Sequence, residues 1–136
     1  MGRIMAIDYG KKRVGIAVTD PLKIIATPLT TVAEPDTFNW LKDYFGKEEV
    51  EKVLVGYPLN LKGGPTDATA AVDRFIERFR KLFPGLELEP RDEAFTSKMA
   101  VRTLVESGLK KKDRQRKELV DQTSAAILLQ EYLQNL

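Results

Sequence analysis

The 136-residue sequence predicts an α/β protein built on a mixed five-stranded sheet with helices on both faces. Three observations predict it. The apolar segments Ile4-Met5-Ala6-Ile7 and Arg13 to Thr19 are separated by too few residues for a parallel crossover, so they pair as an antiparallel hairpin. Val53-Leu54-Val55 lacks polar alternation, as expected of a central parallel strand covered on both faces. From residue 34 onward, helical and extended segments alternate, the pattern of right-handed crossovers.

Taken in order, the first strand reaches Asp8 and breaks at Gly10, and the second runs from Arg13 to Thr19. Asp20-Pro21-Leu22-Lys23 reads as a turn with proline suited to its second position, leading to a third strand from Ile24 to Val32. Glu34-Pro35-Asp36-Thr37 opens a helix whose Phe38, Leu41, Tyr44 and Phe45 recur at three and four residues until Gly46 stops it. After the central strand, Leu61 to Pro65 forms a flexible loop, and Thr66 caps a second helix carrying Val72, Phe75, Ile76, Phe79, Leu82 and Phe83. Leu86 to Glu89 alternates apolar and acidic residues as a half-exposed fifth strand, and Pro90 breaks its ladder. Thr96 or Ser97 caps a third helix ending at Gly108, and a basic loop from Lys110 to Lys117 leads to a final helix through about Leu133. Trp40 and the phenylalanines fall on apolar helical spacing and read as core. With no repeat and no linker, one domain over residues 1–136 is expected.

The sequence contains neither histidine nor cysteine. That excludes a Ser-His dyad, a cysteine nucleophile, a Cys/His zinc site and a disulfide, and leaves carboxylates, lysines and hydroxyls for any chemistry. The N-terminal segment carries Asp8 and Lys11-Lys12-Arg13 where a signal peptide needs its apolar centre, and no stretch has the roughly 18 apolar residues of a membrane span. A soluble cytoplasmic protein is expected, with no membrane partner.

Three carboxylates stand where chemistry could happen. Asp8 ends an apolar strand, where an ionised carboxylate needs a cation or donors; a turn cap over Gly10 to Lys12 is the alternative. Asp121 heads the stripe Ala125, Leu128 and Tyr132 on the last helix, and the small residues Ser124, Ala125 and Ala126 allow that helix close to the sheet; an exposed pair with Lys117 is the alternative. Asp92-Glu93 comes where the fifth strand runs out, so that Glu93 is expected to meet Asp8 across neighbouring strand ends unless the pair serves only a helix N-terminus. If the fold gathers them, hard oxygen ligands would share Mg²⁺ or Mn²⁺, and such a site can activate water for phosphodiester cleavage.

The net charge is +2, from 22 Lys or Arg and 20 Asp or Glu. Residues 98–118 hold eight Lys or Arg and three Asp or Glu, which leaves the remainder of the chain at −3. Lys98, Lys110, Lys111, Lys112, Arg114 and Arg116, with Lys11, Lys12 and Arg13 on the first hairpin, are therefore candidate contacts to a phosphate backbone. Gly63-Gly64 is no P-loop, and no dinucleotide fingerprint is present.

The segment Asp8-Tyr9-Gly10-Lys11-Lys12-Arg13-Val14-Gly15-Ile16-Ala17, followed in register by Thr19-Asp20-Pro21-Leu22, Gly56-Tyr57-Pro58-Leu59-Asn60, Asp92-Glu93 and Asp121 with Ala125 to Gln130, resembles the YqgF/RuvX family. The resemblance implies an RNase H-like fold and an acidic metal-binding triad of Asp8, Glu93 and Asp121. It implies a nuclease acting on structured RNA, with maturation of the 5′ end of 16S ribosomal RNA in ribosome biogenesis as its task. Cleavage of branched DNA by a Holliday junction resolvase is the close alternative. Ala94 and Phe95 stand where the family has arginine and leucine, so Lys11, Lys12, Arg13, Arg91 or Lys98 would have to supply that positive charge. A monomer or weak homodimer is expected, whereas paired cuts in a junction call for a symmetric dimer. A noncatalytic RNA-binding assembly factor and an actin-like ATPase are the alternatives of other classes, the latter lacking a second lobe to close over the nucleotide. Without histidine, leaving-group protonation would fall to metal-bound water or a lysine.

Overall fold

The computed structural model describes residues 2–57, 67–92 and 117–134. Strands β1 (Arg3–Tyr9), β2 (Arg13–Thr19) and β3 (Ala26–Ala33) form an antiparallel meander, and a 3-10 turn over Glu34–Asp36 leads into helix α1 (Thr37–Lys47). Strand β4 (Val50–Tyr57), helix α2 (Asp67–Leu82), strand β5 (Glu87–Asp92) and helix α3 (Lys117–Gln134) follow. The sheet order is β3-β2-β1-β4-β5, with β4 parallel to both β1 and β5. This is the predicted mixed five-stranded sheet, three antiparallel strands and then parallel ones. The expected loop of Leu61 to Pro65 with its Thr66 cap, and the helix ending at Gly108, lie outside the described residues.

Period-2 alternation divides the sheet's residues between two cores. Met5, Ile7, Val14, Ile16, Val53, Val55 and Leu88 pack with Leu41 of α1 and with Val72, Phe75, Ile76 and Phe79 of α2. Ile4, Ala6, Ala17 and Leu54 face the other way, onto Ala125, Ala126, Leu128 and Leu129 of α3. Among the described residues helices thus cover both faces, two on an aromatic core and one on a core of small and aliphatic residues. Trp40 stacks on Tyr44 at 5.1 Å between ring centroids and packs with the phenylalanines against the first core, as its spacing predicts.

Four local expectations change. Gly46 lies inside α1, which ends one residue later at Lys47; a Cβ there would meet nothing within 4 Å, so no close contact calls for glycine. The third strand begins at Ala26 because the Asp20 carboxylate accepts from the amides of Leu22, Ile24 and Ile25 at 3.2, 2.8 and 2.8 Å. Those amides, Ile25's foremost, hold the Asp20 carboxyl below its usual range. They also keep Ile24 and Ile25 in an exposed loop, while the predicted turn forms with Lys23 N–H donating to the Asp20 carbonyl at 2.9 Å. Pro90 does not break β5: it pairs with Val55, and the strand continues to Asp92, since an edge strand tolerates a residue with no amide to donate. Finally, β4 separates β1 from β5, so the ends of those two strands are not neighbours.

Tyr9, the last residue of β1, fixes the hairpin end against the helical layer. Its ring stacks on Phe75 at 4.6 Å, and its hydroxyl donates to Glu34 Oε1 at 2.9 Å. Burial, and then the bond to Glu34, push this phenol up to about 12. A folded pKa above the unfolded value of about 10 means that the contribution to stability is complete below pH 10 and is lost as the pH rises towards 12. Tyr9→Phe should therefore remove the latest phase of tyrosinate absorbance in an alkaline titration and flatten the decline of stability over that interval.

Candidate active site

The row of residues at the C-terminal end of β1 and β4 is short of side chains. Asp8 pairs with Gly15 of β2, Gly56 of β4 pairs with Arg91 of β5, and Ile7 pairs with Val55 one step earlier. Gly15, Asp8, Gly56 and Arg91 therefore lie level across four strands. Ile4 and Ala6 face α3, and the same parity turns Asp8 to that side, between two buried glycines.

Helix α3 descends onto this row at Asp121. A Cβ built on Gly15 would overlap the carbonyl carbon and oxygen of Asp121 and come within 2.8 Å of the Gln122 nitrogen. Glycine is thus required for contact, not for a turn. Thr123, Ser124, Ala125 and Ala126 are all buried, and Leu128 continues the predicted stripe at 3% exposure, so small residues do bring this helix close. Asp8 and Asp121 stand on either side of one glycine, each with further partners in the fold.

Arg13, two residues before Gly15 on the same strand face, donates from Nε to Asp121 Oδ2 at 3.1 Å. The side chains retain 32% and 25% of their exposure, so the pair is partly wet. The Asp121 partner considered from sequence, Lys117, has its side chain outside the described residues. At the far end of α3, Tyr132 meets Lys52, whose Nζ donates to its hydroxyl at 3.1 Å and to Glu89 Oε1 at 3.3 Å. Arg91 donates to Glu89 Oε2 at 2.9 Å and lies 5.0 Å from the Tyr132 ring centre. Arg91 beside Glu89 holds that carboxyl below its usual range, and the Tyr132 hydroxyl is the main group raising Lys52.

Of the residues singled out from sequence, Arg13 and Asp121 pair, Asp8 lies in register with the Gly15 on which the Asp121 backbone packs, and Lys11 and Lys12 are exposed in the turn just beyond Asp8. Glu93, Lys98, Lys110, Lys111, Lys112, Arg114 and Arg116 lie outside the described residues. Among the described residues no three acidic groups gather as a metal site. The side chains available near Gly15 for holding an ion are carboxylates, in a chain without histidine or cysteine, and oxygen donors of that kind suit Mg²⁺ or Mn²⁺; one of them, Asp121, already attracts a cation in Arg13. Sequence reasoning missed that ion pair and the docking role of Gly15. The signal was present in the spacing Arg13-x-Gly15, which puts both on one strand face.

Residues 2–135 match the family model described as RuvX: Holliday junction resolvase. The protein named "Putative pre-16S rRNA nuclease" in Flavobacterium psychrophilum is 53% identical over 98% of this chain and 97% of its own. Proteins of the same name in Amoebophilus asiaticus and Bacteroides thetaiotaomicron are 54% and 47% identical, over 98% and 99% of this chain and 94% and 98% of theirs. Among solved structures, YeaZ from Pseudomonas aeruginosa overlays with a TM-score of 0.44 and 12% identity, over 79% of this chain and 50% of that one.

If Gly15 is the docking point, Gly15→Ala should cost about 3 kcal/mol in urea unfolding, because backbone must move. Gly46→Ala, in open space inside α1, should instead stabilise by roughly 0.5–1 kcal/mol.

Proposed function

The chain belongs to the RuvX family, and on that premise we propose that it is a Mg²⁺- or Mn²⁺-dependent nuclease that trims the 5′ end of precursor 16S ribosomal RNA in the cytoplasm. The reading is supported by the register of Asp8 with Gly15 and the packing of the Asp121 backbone on that glycine, which bring residues from opposite ends of the chain to one strand position. The names of the relatives supply the substrate class.

Asp8 and Asp121 would hold the ion, with Glu93 as the third ligand. Bound there, a divalent cation supplies activation of water and stabilisation of charge on the leaving oxygen. The chain itself contributes rigidity and position. Asp8 is fixed by pairing within the sheet, and Asp121 by a backbone contact that leaves the helix little freedom. Gly56 presents no side chain beside Asp8, which keeps bulk away from an approaching phosphodiester. Lys11 and Lys12, exposed at the hairpin turn, attract the phosphate backbone towards the acids without selecting sequence. The basic residues of 98–118 would extend that track.

The family's description favours a second substrate, branched DNA, cut by the same chemistry in a symmetric dimer. Asp8→Asn and Asp121→Asn should each lower cleavage of a 5′-extended 16S precursor by on the order of a hundredfold or more, while the unfolding midpoint of the metal-free protein stays close to that of the wild type. Undiminished cleavage would remove both residues from the site. Preferential paired cutting of a four-way junction by a dimer would select the second substrate, and RNA binding without metal-dependent cleavage would leave an assembly factor.

A further inference from the structure

We propose that Arg13 is a resident counter-cation of Asp121 that a divalent ion displaces, and that the released guanidinium then binds the phosphodiester beside that ion. The proposal rests on the reading of Asp8 and Asp121 as metal ligands. Its own observation is the contact from Arg13 Nε to Asp121 Oδ2 at 3.1 Å, on the strand face that carries Gly15.

Three features favour exchange over a permanent brace. The contact uses one N–H, whereas a guanidinium locked on a carboxylate presents two parallel bonds. Both side chains are about a quarter to a third exposed, and ion pairs in that setting contribute little net stabilisation. A second arginine, Arg91, level with Gly15, behaves otherwise: it is anchored by Glu89 at 2.9 Å and lies over the Tyr132 ring, where its place is taken up in joining β5 to α3.

A divalent ion on Asp121 would repel Arg13 and take over the oxygen it serves. The swing would begin at the first residue of β2, beside the Gly10 to Lys12 turn, so the freed cation would join Lys11 and Lys12. Metal and phosphodiester would then bind cooperatively, since removing Arg13 from Asp121 serves both, and the coupling must be equal in the two directions.

The test uses the full chain. Mn²⁺ binding is measured by electron paramagnetic resonance of the free ion for wild type, Arg13→Gln, Arg13→Lys and Asp8→Asn, with circular dichroism to verify folding. RNA binding is measured by anisotropy of a labelled 5′-extended 16S fragment in Ca²⁺ and in chelator. Arg13→Gln should bind Mn²⁺ about fivefold more tightly or better and lose the Ca²⁺-dependent gain in RNA affinity, while Arg13→Lys returns Mn²⁺ affinity towards the wild-type value. If Asp8→Asn loses Mn²⁺ but Arg13→Gln binds it no more tightly than wild type, the exchange is overturned and the metal site stands. Wild-type Mn²⁺ affinity in Asp8→Asn would overturn the metal site and the exchange with it.

Discussion

At residue 15 the sheet carries no side chain, and the backbone of Asp121 occupies the space where a Cβ would stand. The β1–β2 hairpin end of the sheet is organised by this exclusion. Because two main chains touch there, the separation between β2 and α3 is fixed by atoms that have no rotamers, and Asp121 inherits that fixity. The same approach puts Arg13 within reach of Asp121 and places Asp8, the register partner of Gly15, on the other flank. At its opposite end α3 is held by Tyr132 against Lys52, Glu89 and Arg91, so the helix is pinned to β2 at its start and to β4 and β5 near its finish.

The two faces of the sheet divide the work of folding and of positioning. Beneath α1 and α2, the rings of Phe45, Phe75, Phe79 and Phe83 form a chain of contacts with centroids 5.0 to 6.2 Å apart, and this layer buries the bulky apolar surface. Beneath α3 the helix offers alanines, a serine and two leucines. Large side chains there would bury more area but would lift the helix, and with it Asp121, away from Asp8.

Much of this was legible in the sequence because it is local. The apolar run of β1, the second segment close behind it and the short connection between them gave the hairpin, and the stripe Asp121, Ala125, Leu128 and Tyr132 gave the buried side of α3. Strand order was harder to read, since the intervention of β4 between β1 and β5 depends on crossovers that no short window contains. Pro90 misled for a related reason: its usual effect presumes a central strand, and β5 lies at the edge of the sheet. The Arg13 to Asp121 pair spans 108 positions and exists only after α3 has docked. At the candidate site, the sequence singled out Asp8 and Asp121 but not the glycine on which the Asp121 backbone packs.

The placement of Trp40, the single tryptophan, has an optical consequence. It lies on α1, stacked on Tyr44 and packed into the aromatic core, with the whole thickness of the sheet between that layer and α3. Its emission therefore reports the integrity of the α1 and α2 layer and is shielded from events around Asp8 and Asp121. The protein carries a fluorophore that follows the unfolding of one helical layer, on the face of the sheet opposite α3.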